Sequence, residues 1–211
     1  MARQALILLA VVLIFGVLVP WYKGVAILQP TVVVAYAMMA LLFVAPAASE
    51  FWTAIPDPVS PGTVLGRVLA IVGYGWGLAL LILITAFATL NLVSGTNRVL
   101  LPPRPFLAAV LLFSLTASLA VAVLCALLAR RFSSAGAKGA VRILFLLLLL
   151  LLAAASRVLP GSWQIALADH STRRALTQLA WEGSAICSVI AVAGLLWLVQ
   201  GVRSHSLPAA G

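Results

Sequence analysis

The fold is decided by one apolar stretch, Leu65–Leu92, which reads LGRVLAIVGYGWGLALLILITAFATLNL. Its only charged residue is Arg67, which lies near the beginning of the stretch. A helix needs about 20 apolar residues to cross the hydrocarbon core of a bilayer, and a charge near the middle is costly there. The length of the stretch and the position of its charge therefore predict a transmembrane helix.

The composition extends this prediction to the whole chain. Of the 211 residues, 64% are hydrophobic and 8% are charged, and the mean hydropathy is +1.22. Soluble domains carry about 25% charged residues. A chain so poor in charge could not cover a surface exposed to water, so a soluble globular protein is excluded. The remaining class is a polytopic membrane protein.

Six apolar stretches of this kind divide the chain. They are continuous and show no period of two, which argues against strands that face lipid. We therefore expect an all-α protein with a single transmembrane domain, residues 1–211. The six predicted spans are Ala5–Trp21, Pro30–Ala48, Leu65–Leu92, Phe106–Ala129, Val141–Ala155 and Ser184–Val202.

The orientation of the spans follows from Lys and Arg, which are enriched in cytoplasmic loops. The densest basic loop lies between spans four and five and contains Arg130, Arg131, Lys138 and Arg142. We expect this loop to be cytoplasmic. Because the number of spans is even, both termini are then expected in the cytoplasm.

An extracytoplasmic interfacial segment, residues 157–183, is predicted between spans five and six. Leu176, Leu179 and Ala180 recur at helical spacing, and Ser171 is suited to cap a helix N-terminus. Trp181 is typical of the membrane–water interface. We expect one or two short amphipathic helices lying at the outer surface, with a plain solvated loop as the alternative.

Several classes of function find no support in the residues. Cys125 and Cys187 lie in apolar runs, so neither a disulfide framework nor metal-ligand spacing is indicated, and no cofactor is expected. The net charge of +9 comes from 13 basic residues that are scattered along the chain and cluster only at span ends. This distribution suits anionic lipid headgroups and topology, and no nucleic-acid partner is expected.

Catalytic chemistry also lacks candidates. The four acidic residues, Glu50, Asp57, Asp169 and Glu182, lie at or beyond the ends of the predicted spans. A carboxylate inside the membrane is the usual mark of a proton or ion pathway, and the sequence places none there. We therefore expect neither an enzyme nor a proton-driven pump.

Small and hydroxyl residues inside two spans predict packing. Gly73 and Gly77 form a GxxxG spacing, which allows two helix backbones to approach closely, either within the chain or between two chains. Ser114, Thr116 and Ser118 in the fourth span could line a polar path. The alternative is that these hydroxyls bond to carbonyl groups of their own helix.

The connection between spans two and three, residues 49–67, is the most informative loop and reads SEFWTAIPDPVSPGTVLGR. Pro58 and Pro61 are expected to end one helix and to form a turn. Ser60 can cap the next helix, with Pro61 at its first position. Gly66 would permit close packing, and Arg67 would lie at the level of the lipid headgroups.

This connection resembles the corresponding segment of permease subunits of ABC transporters of the type-two, six-helix exporter class. In that family a short cytoplasmic helix with an acidic residue precedes a Pro-Val-Ser-type turn, and a Leu-Gly-Lys or Leu-Gly-Arg step opens the third span. Pro58-Val59-Ser60 and Leu65-Gly66-Arg67 follow this pattern in order and spacing. The similarity at the level of motifs covers about 18 residues, and the remainder is similar in its architecture.

The resemblance implies a function and a set of partners. Residues 49–67 would be a cytoplasmic coupling segment, in which Glu50, Phe51 and Trp52 contact a separate ATP-binding subunit. The chain itself has no Gly-x-x-x-x-Gly-Lys-Ser/Thr phosphate loop. It would pair with a second permease subunit, identical or different, in the cytoplasmic (inner) membrane of a bacterium. Its cargo would be hydrophobic, amphiphilic or lipid-linked.

A second class of function remains open from the residues alone. Leucine-rich spans without a polar interior also suit a scaffold subunit, which assembles a larger membrane complex and transports nothing. The two classes differ at the connection, since a scaffold has no need of a docking surface at Glu50, Phe51 and Trp52.

Overall fold

The computed structural model describes residues 9–23, 30–52, 60–93, 103–131 and 170–205, together with the single helical residues 136, 139, 143 and 146. In these residues the secondary structure is entirely helical and contains no strand. We number the helices in chain order. They are α1 (apolar over Leu9–Tyr22), α2 (Pro30–Trp52), α3 (Pro61–Val93), α4 (Arg104–Arg131) and α5 (His170–His205).

Among the described residues, three helices are long and apolar enough to cross a membrane, and this indicates a membrane protein. They are Gly62–Val93 in α3, Arg104–Leu128 in α4 and Arg174–Gln200 in α5. The shortest has 25 residues, which corresponds to about 38 Å against a hydrocarbon core of about 30 Å. Large apolar side chains also cover one outer face of α5, where Ile186, Val189, Val192 and Leu196 are each more than half exposed.

Helices α3 and α4 lie at the centre of the described bundle. Helix α3 contacts α1, α2, α4 and α5, and α4 contacts α2, α3 and α5; half of the apolar window of α4 is buried, against 22% for α5. The first core cluster joins Val68 of α3, Val44 of α2, Val123 of α4 and Leu198 of α5, all of them completely buried. Four separate segments of the chain therefore meet in one apolar core near the beginning of α3.

The direction of each helix follows from the residues that share a cluster. Val44 near the end of α2 packs with Val68 near the beginning of α3, so these two helices are antiparallel. Phe106 at the beginning of α4 packs with Ala37 and Val34 in the first half of α2, so α2 and α4 run in the same direction. We call the end of the bundle where α3 begins the Ser60 end and the opposite end, where α4 begins, the Phe106 end.

Helices α4 and α5 pack side by side in parallel. A side chain at Gly183 would meet the ring of Phe113, and a side chain at Gly194 would meet Val123, so the contacts advance together along both helices. Their beginnings also lie near each other, since Leu176 packs against the core cluster that contains Phe106 and Val110. Both helices therefore begin at the Phe106 end and finish at the Ser60 end.

Helix α1 contains a π-helical turn, Ile14–Leu18, followed by the α-helical segment Val19–Lys23. A π turn moves each main-chain hydrogen bond by one residue and leaves carbonyl groups poorly paired within the helix. Two hydroxyl groups from other helices supply donors here. Tyr36 donates to the carbonyl of Phe15 at 2.7 Å, and Thr89 donates to the carbonyl of Gly16 at 3.0 Å.

The helix boundaries differ from the predicted spans most clearly in α5. We expected span six to begin at Ser184, after a separate interfacial helix within 157–183. Instead, residues 170–183 form the first turns of one continuous helix, His170–His205. Ser171 therefore lies inside the helix and not at the position before it. Ser184 lies inside this helix, and its hydroxyl donates to the carbonyl of Ala180 at 2.7 Å. Residues 157–169 lie outside the described residues.

At the positions of the other predicted spans, the described residues are helical. Spans two, three and four coincide with α2, α3 and α4, each of which is a few residues longer than predicted, and span one corresponds to α1. Of span five, Val141–Ala155, only Ile143 and Leu146 are described, and both are helical and exposed.

Candidate functional site

The predicted coupling segment begins and ends at the Ser60 end of the bundle. Helix α2 continues to Trp52, so Glu50, Phe51 and Trp52 belong to its last turn and form no separate helix in the described residues. Helix α3 begins at Pro61, beside the end of α2. Pro58 and Val59 lie outside the part of the chain that the structure describes.

Ser60 caps α3 as the sequence predicts. Its hydroxyl accepts a hydrogen bond from the main-chain N–H of Thr63 at 3.2 Å and lies 2.8 Å from the Thr63 hydroxyl. The main-chain N–H of Val64 bonds to the carbonyl of Ser60 at 3.2 Å, which closes the first helical turn. Pro61 occupies the first helical position, where no N–H is needed for the helix. The predicted cap is confirmed, and the start of α3 is therefore defined by local chemistry.

Gly66 and Arg67 lie in the second turn of α3, at the rim of the core. Val64 and Val68 on either side point into the first core cluster and are buried, while Arg67 is half-buried. We expected Gly66 to allow close packing. It is exposed, and a side chain there would meet nothing within 4 Å, so in the described structure its lack of a side chain serves no contact.

The glycines of α3 divide into two groups. A side chain at Gly75 would lie 2.5 Å from Val44 Cγ2, 3.0 Å from the Val44 nitrogen and 3.2 Å from the Ala40 carbonyl oxygen. Gly75 therefore lies at a close approach of α2 and α3. Gly73 and Gly77 are exposed, and a side chain at either would meet nothing within 4 Å. The GxxxG pair thus makes no close helix contact within the described chain.

The hydroxyl groups of α4 are paired with main-chain carbonyls. Thr116 bonds to Leu112 and Ser118 bonds to Ser114, which agrees with the alternative that these hydroxyls satisfy their own helix. Ser114 differs, because it donates across the helix interface to the carbonyl of Ala37 in α2. In these bonds each hydroxyl donates its proton to a main-chain carbonyl, within α4 or across to α2.

Acidic, histidine and cysteine side chains form no cluster of three that could hold a metal ion in the described residues. Cys125 is buried in the first core cluster and Cys187 is half-buried on α5. The described part of the Ser60 end consists of packed helices. Two long antiparallel helices, α2 and α3, are joined there by residues 53–60 and packed tightly at Gly75.

Several positions that hold the bundle together carry no clear signal in the sequence. Gly183 and Gly194 allow α5 to approach α4, yet the two are eleven positions apart and form no GxxxG spacing. Gly16 lies in the π turn, where an added side chain would be 3.0 Å from Thr85 Cβ. Which glycine meets a neighbour depends on the rotation of its helix, and spacing within one segment does not determine that rotation.

Comparison with known proteins gives no relative. The chain matches no protein-family model, no curated protein and no solved structure.

Proposed function

We propose that this chain is the membrane-spanning permease subunit of an ATP-driven ABC exporter. The supporting observation is the geometry at the Ser60 end, where residues 53–60 connect the end of α2 to the capped start of α3. The connection is short and both helices are long, so a displacement there would move both helices. ATP would be bound and hydrolysed by a separate cytoplasmic subunit.

Six spans are part of this proposal. Because α4 and α5 are parallel, the chain leaves α4 at the Ser60 end and enters α5 at the Phe106 end. If both helices cross the bilayer, the chain between Arg131 and His170 has to cross it as well. Val141–Ala155 is the apolar stretch available for this fifth crossing, and α1 and α2 would be the first two.

The orientation proposed places the Ser60 end in the cytoplasm. Helices α4 and α5 finish there, with Arg130, Arg131 and Arg203 in their last turns, and Arg67 lies in the second turn of α3. Basic residues at cytoplasmic span ends are the usual determinant of topology. We propose the cytoplasmic membrane of a bacterium as the location.

A second permease subunit would complete the transporter. The exposed Gly73 and Gly77 suit a close helix contact with another chain, since no described neighbour covers them. The pathway would lie at the interface of the two subunits and would carry a hydrophobic, amphiphilic or lipid-linked molecule. The spans would move as nearly rigid bodies when the ATPase closes.

The test is purification of the tagged chain in a mild detergent and mass spectrometry of the proteins that remain bound. We expect a stoichiometric ATPase with a phosphate-binding loop. The double variant Glu50→Gln with Trp52→Ala should lose it, because these residues end α2 beside residues 53–60. Trp21→Ala is the matched control, since Trp21 is 67% exposed and lies on a different helix.

One observation favours a scaffold subunit as the second candidate. The apolar window of α5 is only 22% buried and its outer face is rich in large side chains, which would suit packing among other integral subunits. Copurification of other membrane subunits without an ATPase, unaffected by the Glu50 and Trp52 substitutions, would support the scaffold and contradict the permease.

A further inference from the structure

A proline directly follows the π turn of α1. In this turn the main-chain N–H of Val19 bonds to the carbonyl of Ile14, five residues earlier. The next residue is Pro20, which has no N–H. An N–H at position 20 would serve the carbonyl of Phe15 in the π register and the carbonyl of Gly16 in the α-helical register. Whichever register the chain adopts, one of these two carbonyls therefore lacks its usual main-chain donor.

These two carbonyls are the ones that accept hydroxyl groups from neighbouring helices. Tyr36 of α2 donates to the carbonyl of Phe15 at 2.7 Å, and Thr89 of α3 donates to the carbonyl of Gly16 at 3.0 Å. The missing N–H of Pro20 is thus replaced at both carbonyls. A helix break with one fixed register would need one such donor, so the surroundings of α1 hold the donors for both registers.

The packing around Pro20 also suits both registers. A regular α-helix would advance the end of α1 by one residue relative to the π turn, which is about 100° around the axis and about 1.5 Å along it. Val19 would then take the place of Pro20. Pro20 is fully buried, and Val19 packs against the core cluster that contains Ile82 and Leu90. An apolar side chain therefore fills the buried place in each register.

We propose that α1 contains a register switch, in which residues 14–20 exchange between the π turn and a regular α-helix. Tyr36 supplies the donor of the π register, and Thr89 supplies the donor of the α-helical register. The Thr89 hydroxyl also lies 2.9 Å from the carbonyl oxygen of Thr85, so it keeps an acceptor when its bond to α1 breaks. The exchange turns Val19–Lys23 by about 100° relative to the beginning of α1. It requires neither an ATPase nor a cargo.

The two registers differ in the distance between the two ends of α1. Leu9 and Trp21 are 59% and 67% exposed and can carry spin labels. In a continuous α-helix these positions are separated by about 18 Å along the axis and about 120° around it, whereas a π turn between them reduces the separation to about 16.5 Å and about 20°. The α-helical register therefore gives a distance about 4 Å longer.

The measurement is electron paramagnetic resonance of the full chain in detergent. Leu9→Cys and Trp21→Cys are labelled in a variant without Cys125 and Cys187. We expect two distances in this parent variant, the shorter one more populated because the π turn is the register of the structure.

Substitutions of the two hydroxyl groups should shift the populations in opposite directions. Tyr36→Phe removes the donor of the π register and should raise the ratio of the longer to the shorter distance about fivefold. Thr89→Val removes the donor of the α-helical register and should lower that ratio by a similar factor. Thr85→Val is the matched control, because Thr85 lies one turn away on α3 and its hydroxyl bonds to the carbonyl of Leu81. It should leave the ratio unchanged.

Pro20→Ala restores an N–H at position 20. The main chain can then serve Phe15 or Gly16 itself, so Tyr36→Phe and Thr89→Val should each shift the ratio less in this background than in the parent variant. This coupling distinguishes a hydroxyl that replaces the proline N–H from one that only holds two helices together. Thr89→Ser retains the hydroxyl and should give the ratio of the parent variant.

Three results would overturn the proposal. The first is a single distance in the parent variant and in both hydroxyl variants. The second is a shift in the same direction in Tyr36→Phe and Thr89→Val, which would indicate a general loosening of α1. The third is a set of shifts that Pro20→Ala leaves unchanged. Circular dichroism melts of the same samples should show that each variant is folded when its distances are measured.

Discussion

The hydroxyl oxygen of Thr89 in α3 lies 3.0 Å from the carbonyl oxygen of Gly16, in the π-helical turn of α1. The two residues are 73 positions apart in the chain. The same hydroxyl lies 2.9 Å from the carbonyl oxygen of Thr85, one turn earlier in α3. Thr89 thus serves its own helix and a neighbouring helix with one proton, and it links the π turn to the bundle.

Removing this hydroxyl should loosen α1. We expect Thr89→Val to lower the free energy of unfolding by about 1 kcal/mol, because valine has no hydroxyl group that could donate to the Gly16 carbonyl. Tyr36→Phe should have a similar effect through the Phe15 carbonyl, which accepts the Tyr36 hydroxyl at 2.7 Å. Thermal unfolding in detergent, followed by circular dichroism, measures the loss.

Thr116→Val is the matched control for these variants. Thr116 is half-buried in α4 and bonds to carbonyls of its own helix, at Leu112 and Phe113. Its loss leaves main-chain groups that are already paired within the helix, so we expect a smaller change. A loss at Thr116 equal to that at Thr89 would contradict the linking role of the Thr89 hydroxyl.

The glycines of α3 should respond differently to the same substitution. Gly75→Ala places a methyl group 3.0 Å from the main-chain nitrogen of Val44, which cannot move without moving α2. We expect a destabilisation of about 2 kcal/mol, typical of overpacking. Gly73→Ala and Gly77→Ala meet open space, so stability should be unchanged or slightly raised by the better helix propensity of alanine. Chemical unfolding of the three variants, side by side, tests this order.

The exposed glycine pair should matter for pairing of two chains. Replacing Gly73 and Gly77 together by leucine adds bulk to the face that we propose for subunit contact, and we expect the dimer fraction to fall. Ala185→Leu adds the same bulk to an exposed position of α5 and should leave the dimer fraction unchanged. Light scattering in detergent gives the mass of each variant. An unchanged dimer with both glycines replaced would place subunit contact on another face.

The parallel packing of α4 and α5 leads to a topology experiment. A variant without Cys125 and Cys187 receives one cysteine, at Ser60, Ser133 or Ser162, and intact cells are treated with a maleimide that does not cross membranes. We expect Ser162→Cys to react, whereas Ser60→Cys and Ser133→Cys should react only after the cells are opened. Labelling of positions 133 and 162 from the same side would exclude a crossing between them.

Ser60 gives a local test of the start of α3. Ser60→Ala removes the acceptor for the Thr63 N–H and should cost about 1 kcal/mol, whereas Ser60→Asp should retain most of the stability because aspartate also caps helices. Amide hydrogen exchange over the first turn of α3 should rise in the alanine variant and not in the aspartate variant. Equal exchange in both would show that the cap contributes nothing.

The start of α3 could be predicted because its determinants are local. Ser60 and Pro61 are neighbours, and a cap needs only a hydroxyl and a proline at adjacent positions. The apolar helices could be predicted for the same reason, since length and hydropathy are properties of one segment. The remaining features depend on what a segment meets in space, and composition does not contain that information.

The beginning of α5 shows where such local reasoning ends. The helical spacing of Leu176, Leu179 and Ala180, with Arg173, Arg174 and Gln178 available for water, predicts a separate helix at the surface. Polar side chains indicate that a segment contacts water, but they do not indicate where a helix begins or ends. Gly183 lies inside this continuous helix, and its missing side chain leaves room for the ring of Phe113 in α4.

The glycines of α3 and the π turn of α1 show the same limit. A spacing of four residues singles out Gly73 and Gly77, whereas the helix that packs on α3 meets Gly75, on the other side of the axis. No pattern in residues 14–18 predicts a π turn, because the hydroxyl groups that satisfy its carbonyls belong to Tyr36 and Thr89. The resemblance of residues 49–67 to exporter permeases remains a prediction.

The directions of the helices also have an electrostatic consequence. Each α-helix carries a partial charge of about +0.5 at its N-terminus and about −0.5 at its C-terminus. Because α4 and α5 both finish at the Ser60 end, two partial negative charges lie side by side there. The negative end is where Arg130, Arg131 and Arg203 stand in the last turns of α4 and α5. Basic residues in the last turn of a helix are favoured by its partial negative charge, so the positions of these arginines in the sequence suit the two helices themselves, in addition to any lipid phosphate.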